Sequence, residues 1–209
     1  MTRERRTPEA ARGLILDAAE RVFAQVMPDQ VGLRDIAREA GISHALVTHY
    51  FGTYEALARA TLDRRITAAR ELAIQRLAAT TPGPGNLPLL EVLLQVIEDP
   101  VMLRLVGWAI LTGRGDAMPG PAGSLAPVLD AIEQRVQALG AAAPSRQQLE
   151  LSVAAALAMA FGLAVARPEL ERALGRPGAL SSEVLRSELP RMVWSYLMAA
   201  VRKTEPGSG

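Results

Sequence analysis

The chain of 209 residues has no cysteine, one lysine, two histidines and few aromatic residues, 4% of the total. Each shortage excludes something. Without cysteine there is no disulfide, no thiolate metal site and no cysteine nucleophile. His44 and His49 are the only imidazoles, so a zinc site would have to rest on carboxylates almost alone. They stand five residues apart, and at about 100° per residue they face different directions on a helix, so they do not make the i, i+4 pair of a zincin. The chain also lacks a Gly-x-Ser-x-Gly elbow and a phosphate-cradling glycine loop. Glu98-Asp99 is an acidic pair without a partner cluster, which reads as a solvated helix end. No enzyme activity, cofactor or metal is expected. No segment alternates apolar and polar residues with the period of a strand, so the expected fold class is all-α.

What is present is a globular composition, 49% hydrophobic and 22% charged, long enough to bury a core. Net charge is only +1, but nearly all the positive charge is arginine, Lys203 being the sole lysine. Arginine suits bidentate contacts with phosphate and guanine. A general bias towards Arg and Ala accounts for many of these positions equally well. The charged N-terminus, from Met1 to Glu9, has no apolar run behind it, so no secretory signal and a cytoplasmic location are expected. Leu151 to Ala166 is apolar all round. A spanning helix needs about 20 such residues. This run is shorter, rich in alanine and flanked by Glu150 and Arg167, which predicts a helix buried in protein and no membrane partner.

Thr7-Pro8-Glu9 is a helix start: a capping hydroxyl, a proline at the first helical position, an acid in the first turn. Leu14, Ile15, Ala18, Ala19, Val22, Phe23 and Val26 then recur at helical spacing. Met27 to Gln30 breaks the pattern. Short helices follow at Leu33–Ala40 and Ser43–Phe51, and a long one runs from about Thr53 to Ala79. After a loop at 80–86, apolar segments occupy Leu87–Glu98 and Val101–Thr112. Arg114 to Ser124, rich in Gly and Pro, is a connector. Leu125–Leu139, Arg146–Ala166 and Ser181–Arg202 complete the helices, with Pro190 bending the last.

The stretch from Leu33 to Phe51 meets every requirement of a helix-turn-helix. Ala37 is small where two helices must cross. Gly41 tolerates the positive φ of the turn. Ile36, Ala40, Ile42 and Val47 fall where the small core lies, and Ser43 can cap the second helix. That second helix is of the kind that enters a DNA major groove.

Two further runs join it, Leu14 to Ala24 and Glu55-Ala56-Leu57, with His49-Tyr50-Phe51 closing the stretch itself. Together these residues resemble the DNA-binding domain of the TetR family of transcriptional regulators, over about residues 9 to 69. The resemblance implies a three-helix DNA-binding domain at 9–69, with its motif at 32–51. A long helix would lead from it to a C-terminal helical domain at 70–205 for effector binding and dimerisation. It implies that His49 and Tyr50 touch the DNA backbone, that Arg34 meets a phosphate, and that His44, Ala45 and Thr48 face base edges beside the capping Ser43. Phe51 reads as a core plug. The chain departs from the pattern where the family often has Lys-Gly-Thr-Leu-Tyr and this sequence has His44-Ala45-Leu46-Val47-Thr48. It departs again where Tyr54 replaces a frequent lysine, leaving a phosphate contact missing or supplied by the phenol. Leu46 either meets a thymine methyl or packs half-buried. The arm of Arg3, Arg5 and Arg6 either reaches the DNA or frays.

In the C-terminal half, Leu185, Leu189, Met192, Val193, Tyr196, Leu197 and Ala200 share one face of the last helix. The apolar helix before it can pack there, and two copies would form a four-helix homodimer interface suited to a palindromic operator. Met102, Leu105, Trp108, Met159 and Phe161 are candidates for an effector pocket, and core packing is their competing role. They point to an apolar or amphipathic small-molecule effector. The expected function is a ligand-responsive repressor. The alternative is a small-molecule sensor or partner-binding scaffold with a weakened DNA-binding domain.

Overall fold

The computed structural model describes residues 7–79, 88–113, 124–138 and 144–192. The arginine arm, the loop at 80–86, most of the 114–124 connector and the residues after Met192 lie outside them, including Val193, Tyr196, Leu197 and Ala200. Among the described residues all regular structure is helical: α1 Pro8–Phe23, a 3-10 turn at Pro28–Gln30, α2 Leu33–Ala40, α3 His44–Phe51, α4 Tyr54–Ala79, α5 Pro88–Glu98, α6 Pro100–Leu111, α7 Ala126–Ala138 and α8 Arg146–Ala173. Residues 182–192 are also helical, with Pro190 buried among them.

The starts of these helices follow local chemistry. Thr7 caps α1 by accepting from the Ala10 N–H, and Ser145 caps α8 through the Gln148 N–H while Gln148 returns a bond to the Ser145 N–H. Before α2 stands Gly32, which has no side chain to cap with. Asp35 compensates by accepting from the Gly32 N–H at 3.0 Å. That bond, then Arg38 at 2.7 Å, holds the Asp35 carboxyl below the usual carboxylate range. A depressed carboxylate contributes stability above its unfolded pKa and loses it as pH falls through the folded value. Asp35→Ala should therefore lower the melting temperature at neutral pH. The gap to the parent chain should close as the solution is acidified through the carboxylate range; a gap that persists there would remove the electrostatic account.

The chain forms two compact units, Met1–Ala68 with Asp99–Gly123, and Ala69–Glu98 with Ser124–Gly209. The first break falls within α4, after Ala68. Helix α6, expected in the C-terminal part, is instead grouped with the first unit. Its own contacts explain this. Asp99 caps α6 by accepting from the Val101 and Met102 N–H groups, and it also pairs with Arg65 of α4. Arg104 donates to the Phe23 and Ala24 carbonyls at 3.2 and 2.6 Å, closing the C-terminus of α1. Asp99 is thus no solvated helix end: its side chain is 11% exposed. Glu98 is engaged in the second unit by an ion pair with Arg186.

The first unit buries Ile15, Ala18, Ala19 and Phe23 of α1, Ile36 and Ala37 of α2, Val47 and Phe51 of α3, and Leu57, Ala58 and Leu62 of α4. Tyr54 stands edge-on between Phe23 and Trp108, with ring centroids 6.2 and 6.0 Å apart.

The second unit has one apolar cluster built from Ala73, Leu77, Val92, Val128, Leu129, Ile132 and Leu149. Another centres on Leu94 and Leu185, with Leu163, Leu180 and Leu189 packed against it. Helix α8 differs from expectation twice. It runs through Pro168 to Ala173 rather than stopping at Ala166, because a proline removes one donor without forcing an end where helix formers follow. The end comes at Gly175, whose φ of 62° turns the chain out. The helix is also not buried in protein. Leu151, Met159 and Val165 are 65%, 68% and 53% exposed. By length and composition α8 is apolar enough to cross a membrane, and its open face calls for a partner.

Candidate nucleic-acid interface

The recognition surface is built by two glycines, two caps and a buried seam. Helix α2 ends at Gly41, whose φ of 65° lets the Gly41 and Ile42 N–H groups bond back to the Arg38 and Ala37 carbonyls. Ser43 follows in extended conformation and accepts from the Leu46 N–H at 3.2 Å, starting α3 at once. Gly52, at φ 71°, ends α3. Thr53 then accepts from the Ala56 N–H at 3.1 Å, which starts α4. Val47 and Phe51, four residues apart, pin α3 to the core at 0% and 8% exposure.

With that face fixed, the opposite one is open. His44, Ala45, Thr48 and His49 are all exposed, together with Ser43, and Arg34 is exposed on the first turn of α2. Tyr50 is half-buried, its ring edge-on to that of His49 with centroids 5.2 Å apart. Leu46 is half-buried too, as packing requires. The Thr48 hydroxyl donates to the His44 carbonyl at 3.1 Å, one turn back along the exposed face.

Tyr54 is the exception among the expected contacts. Its hydroxyl donates to the Pro28 carbonyl and its ring is wedged between Phe23 and Trp108. The phenol works inside the unit, bracing the start of α4 against the 3-10 turn, and this takes it out of the set that can meet a phosphate.

Sequence patterns did not single out Arg12. From the second turn of α1 its guanidinium lies over the Phe51 ring, 4.4 Å from the centroid, and donates to the Tyr50 carbonyl at 3.4 Å. One arginine among many carries no periodic signal, and only the fold brings it to the end of α3.

The candidate effector residues divide between the two units. Met102, Leu105 and Trp108 are buried on α6 in the first, at 5%, 1% and 5% exposure. Met159 is exposed and Phe161 half-buried on α8 in the second.

A three-helix unit that pins one face of a short second helix and leaves the other open defines a helix-turn-helix DNA-binding protein. Comparison with known proteins narrows the class. Residues 15–61 match the family described as bacterial regulatory proteins, tetR family. An HTH-type transcriptional repressor of Mycobacterium tuberculosis is 31% identical over 177 residues, covering 80% of this chain and 79% of that protein. The chain belongs to the TetR family of transcriptional regulators. A second HTH-type regulator of Mycobacterium tuberculosis is 36% identical over 95 residues, 45% of this chain and 47% of that one, so the match spans about half of that relative's length. In structure the chain is similar to the fatty acid degradation regulator FadR of Bacillus halodurans, with a TM-score of 0.57 at 16% identity over 78% of this chain and 87% of that one. That likeness speaks for the fold.

Proposed function

We propose that the chain is a ligand-responsive repressor that binds a palindromic operator as a homodimer. The exposure of His44, Ala45, Thr48 and His49 opposite the buried Val47 and Phe51 carries this proposal. His49, Tyr50 and Arg34 are assigned to the DNA backbone, which gives affinity. His44, Ala45 and Thr48 are assigned to base edges, which give sequence preference. Ser43 shapes the surface by capping α3.

Dimerisation is assigned to α8 and the last helix. The exposed residues Leu151, Ala155, Ala158, Gly162 and Val165 follow one another at alternating steps of four and three, the spacing of a helix-helix seam. Small side chains along it allow two helices to approach closely. A dimer with two-fold symmetry reads inverted half-sites, hence the palindrome, and DNA access places it in the cytoplasm.

The effector is proposed to be apolar or amphipathic. It acts by binding one of two states better, since equal affinity for both shifts nothing. The chain passes directly from α5 in the second unit to α6 in the first, and α6 is tied to α1 and α4 through Arg104 and Asp99. Met102, Leu105 and Trp108 are then assigned to that linkage, while Met159 and Phe161 remain the candidates on α8.

Oligonucleotide selection with the whole chain tests the DNA function, returning an enriched palindrome. His49→Ala and Tyr50→Ala should each weaken binding to all duplexes alike, whereas Thr48→Ala should change which base is preferred, by about 1–3 kcal/mol at one position per half-site. Selection that enriches no sequence would favour the sensor or scaffold with a weakened DNA-binding domain, a reading to which the inward Tyr54 lends weight.

A further inference from the structure

The arginines of the first unit sort into two groups. Arg21 pairs with Glu39, Arg38 with Asp35, Arg64 with Asp17 and Glu20, and Arg65 with Asp99 and Glu20. Arg104 is spent on the α1 carbonyls. None of these pairs involves Arg12, Arg34 or Arg59. Arg34 is already assigned to the backbone, and Arg59 stands on α4 beyond the helix-turn-helix. Arg12 remains, an exposed fixed charge held against the last turn of the recognition helix.

Its geometry suits a specific task. The guanidinium lies over the Phe51 ring and uses Nη1 on the Tyr50 carbonyl. That carbonyl belongs to the C-terminal turn of α3, where helix carbonyls lack partners and the dipole end is negative. A guanidinium has five N–H donors, and on this exposed side chain the Tyr50 carbonyl engages only the Nη1 end. The two residues beside it, His49 and Tyr50, are those assigned to the DNA backbone, and Tyr54 cannot contribute. A cation oriented by a ring on one side and a carbonyl on the other is preorganised for an oxygen anion.

We propose that Arg12 is a phosphate ligand in the DNA complex and, through the Tyr50 carbonyl and the Phe51 ring, the residue that positions the end of the recognition helix on the backbone. This rests on the DNA-binding reading above. It adds a contact from α1, outside the helix-turn-helix itself.

The test measures binding of the full-length chain to the duplex obtained by selection, by fluorescence anisotropy between 50 and 200 mM salt, for the parent, Arg12→Gln and Arg12→Lys. Each phosphate contact contributes about 0.9 to the slope of log affinity against log salt. Arg12→Gln should lower that slope by about 0.9 per subunit. The advantage of the parent over Arg12→Gln should therefore shrink by about threefold per subunit across the salt range. Sequence preference should be unchanged. Arg12→Lys should keep the slope, since it keeps the charge, while losing part of the affinity because it cannot hold ring, carbonyl and phosphate together. Melting temperatures measured alongside identify a merely structural role: affinity lost with a fall in melting temperature and an unchanged slope overturns the proposal. So does Arg12→Gln binding like the parent at every salt concentration. If the parent itself selects no duplex, the DNA-binding reading fails first and this one with it, a result distinct from either of the others.

Discussion

Replacing Gly162 by leucine should strain nothing within its own subunit, yet separate the dimer and cost about 10²- to 10⁴-fold in operator affinity. Both halves of this expectation come from one position. A Cβ built at Gly162 meets nothing within 4 Å in the chain, so a side chain there disturbs no packing of its own subunit. Glycine in a helix interior is about 0.8–1.0 kcal/mol less favourable than alanine, so the substitution strengthens α8 as a helix. Yet Gly162 sits in the middle of the exposed run Leu151, Ala155, Ala158, Gly162 and Val165. If a second copy of α8 lies against that run, a leucine on each helix meets its counterpart where the axes come closest. Losing the dimer removes the second half-site, and with it the gain that linking two binding events supplies. Sedimentation analysis and anisotropy on a two-half-site duplex report the two effects. Gly162→Ala is the control: it should raise the melting temperature and keep the dimer. A Gly162→Leu chain that remains dimeric would move the interface off this face of α8.

The contrast between α3 and α8 shows what the sequence made legible. In the helix-turn-helix the constraints are local. Gly41 must turn, Ser43 must cap, Ala37 must be small, and the structure places Gly41 at φ 65°, Ser43 on the Leu46 N–H and Ala37 at 3% exposure. Residues within about ten positions of one another settle these features, so a single sequence displays them. The surface of α3 follows, because fixing Val47 and Phe51 inside leaves His44, Ala45, Thr48 and His49 outside.

Where the constraint is tertiary, the sequence was silent or misleading. An apolar helix such as α8 reads the same whether its own chain or another covers it. Tyr54 occupies a position that the family resemblance ties to phosphate, and only the packing of Phe23, Trp108 and the 3-10 turn reveals that its hydroxyl is taken. Asp99 looked like half of a solvated acidic pair, because its partner Arg65 is 34 residues away. Arg12 meets Tyr50 across 38 residues. In each case periodicity carries no information about the partner.

Trp108 gives the second large effect and decides what α6 is for. Trp108→Ala should cost about 3–5 kcal/mol of stability, the usual penalty for truncating a buried aromatic side chain. Trp108 is 5% exposed, packs edge-on against Tyr54 and lies one turn beyond Arg104, the residue that closes the C-terminus of α1. Removing it opens a cavity beside Tyr54, whose ring and hydroxyl brace the start of α4. The loss should therefore carry over to DNA, since α1 and α4 frame the helix-turn-helix, and operator affinity should fall with stability. Denaturant unfolding followed by circular dichroism measures the first effect and anisotropy the second. Trp108→Phe, which keeps an aromatic edge for Tyr54, should lose far less. An effector-pocket wall behaves in the opposite way: truncating it enlarges a cavity that already exists, leaves stability nearly unchanged and alters only the response to the effector. A stable Trp108→Ala chain with normal DNA affinity would return Trp108 to the pocket and take α6 out of the bracing of α1 and α4.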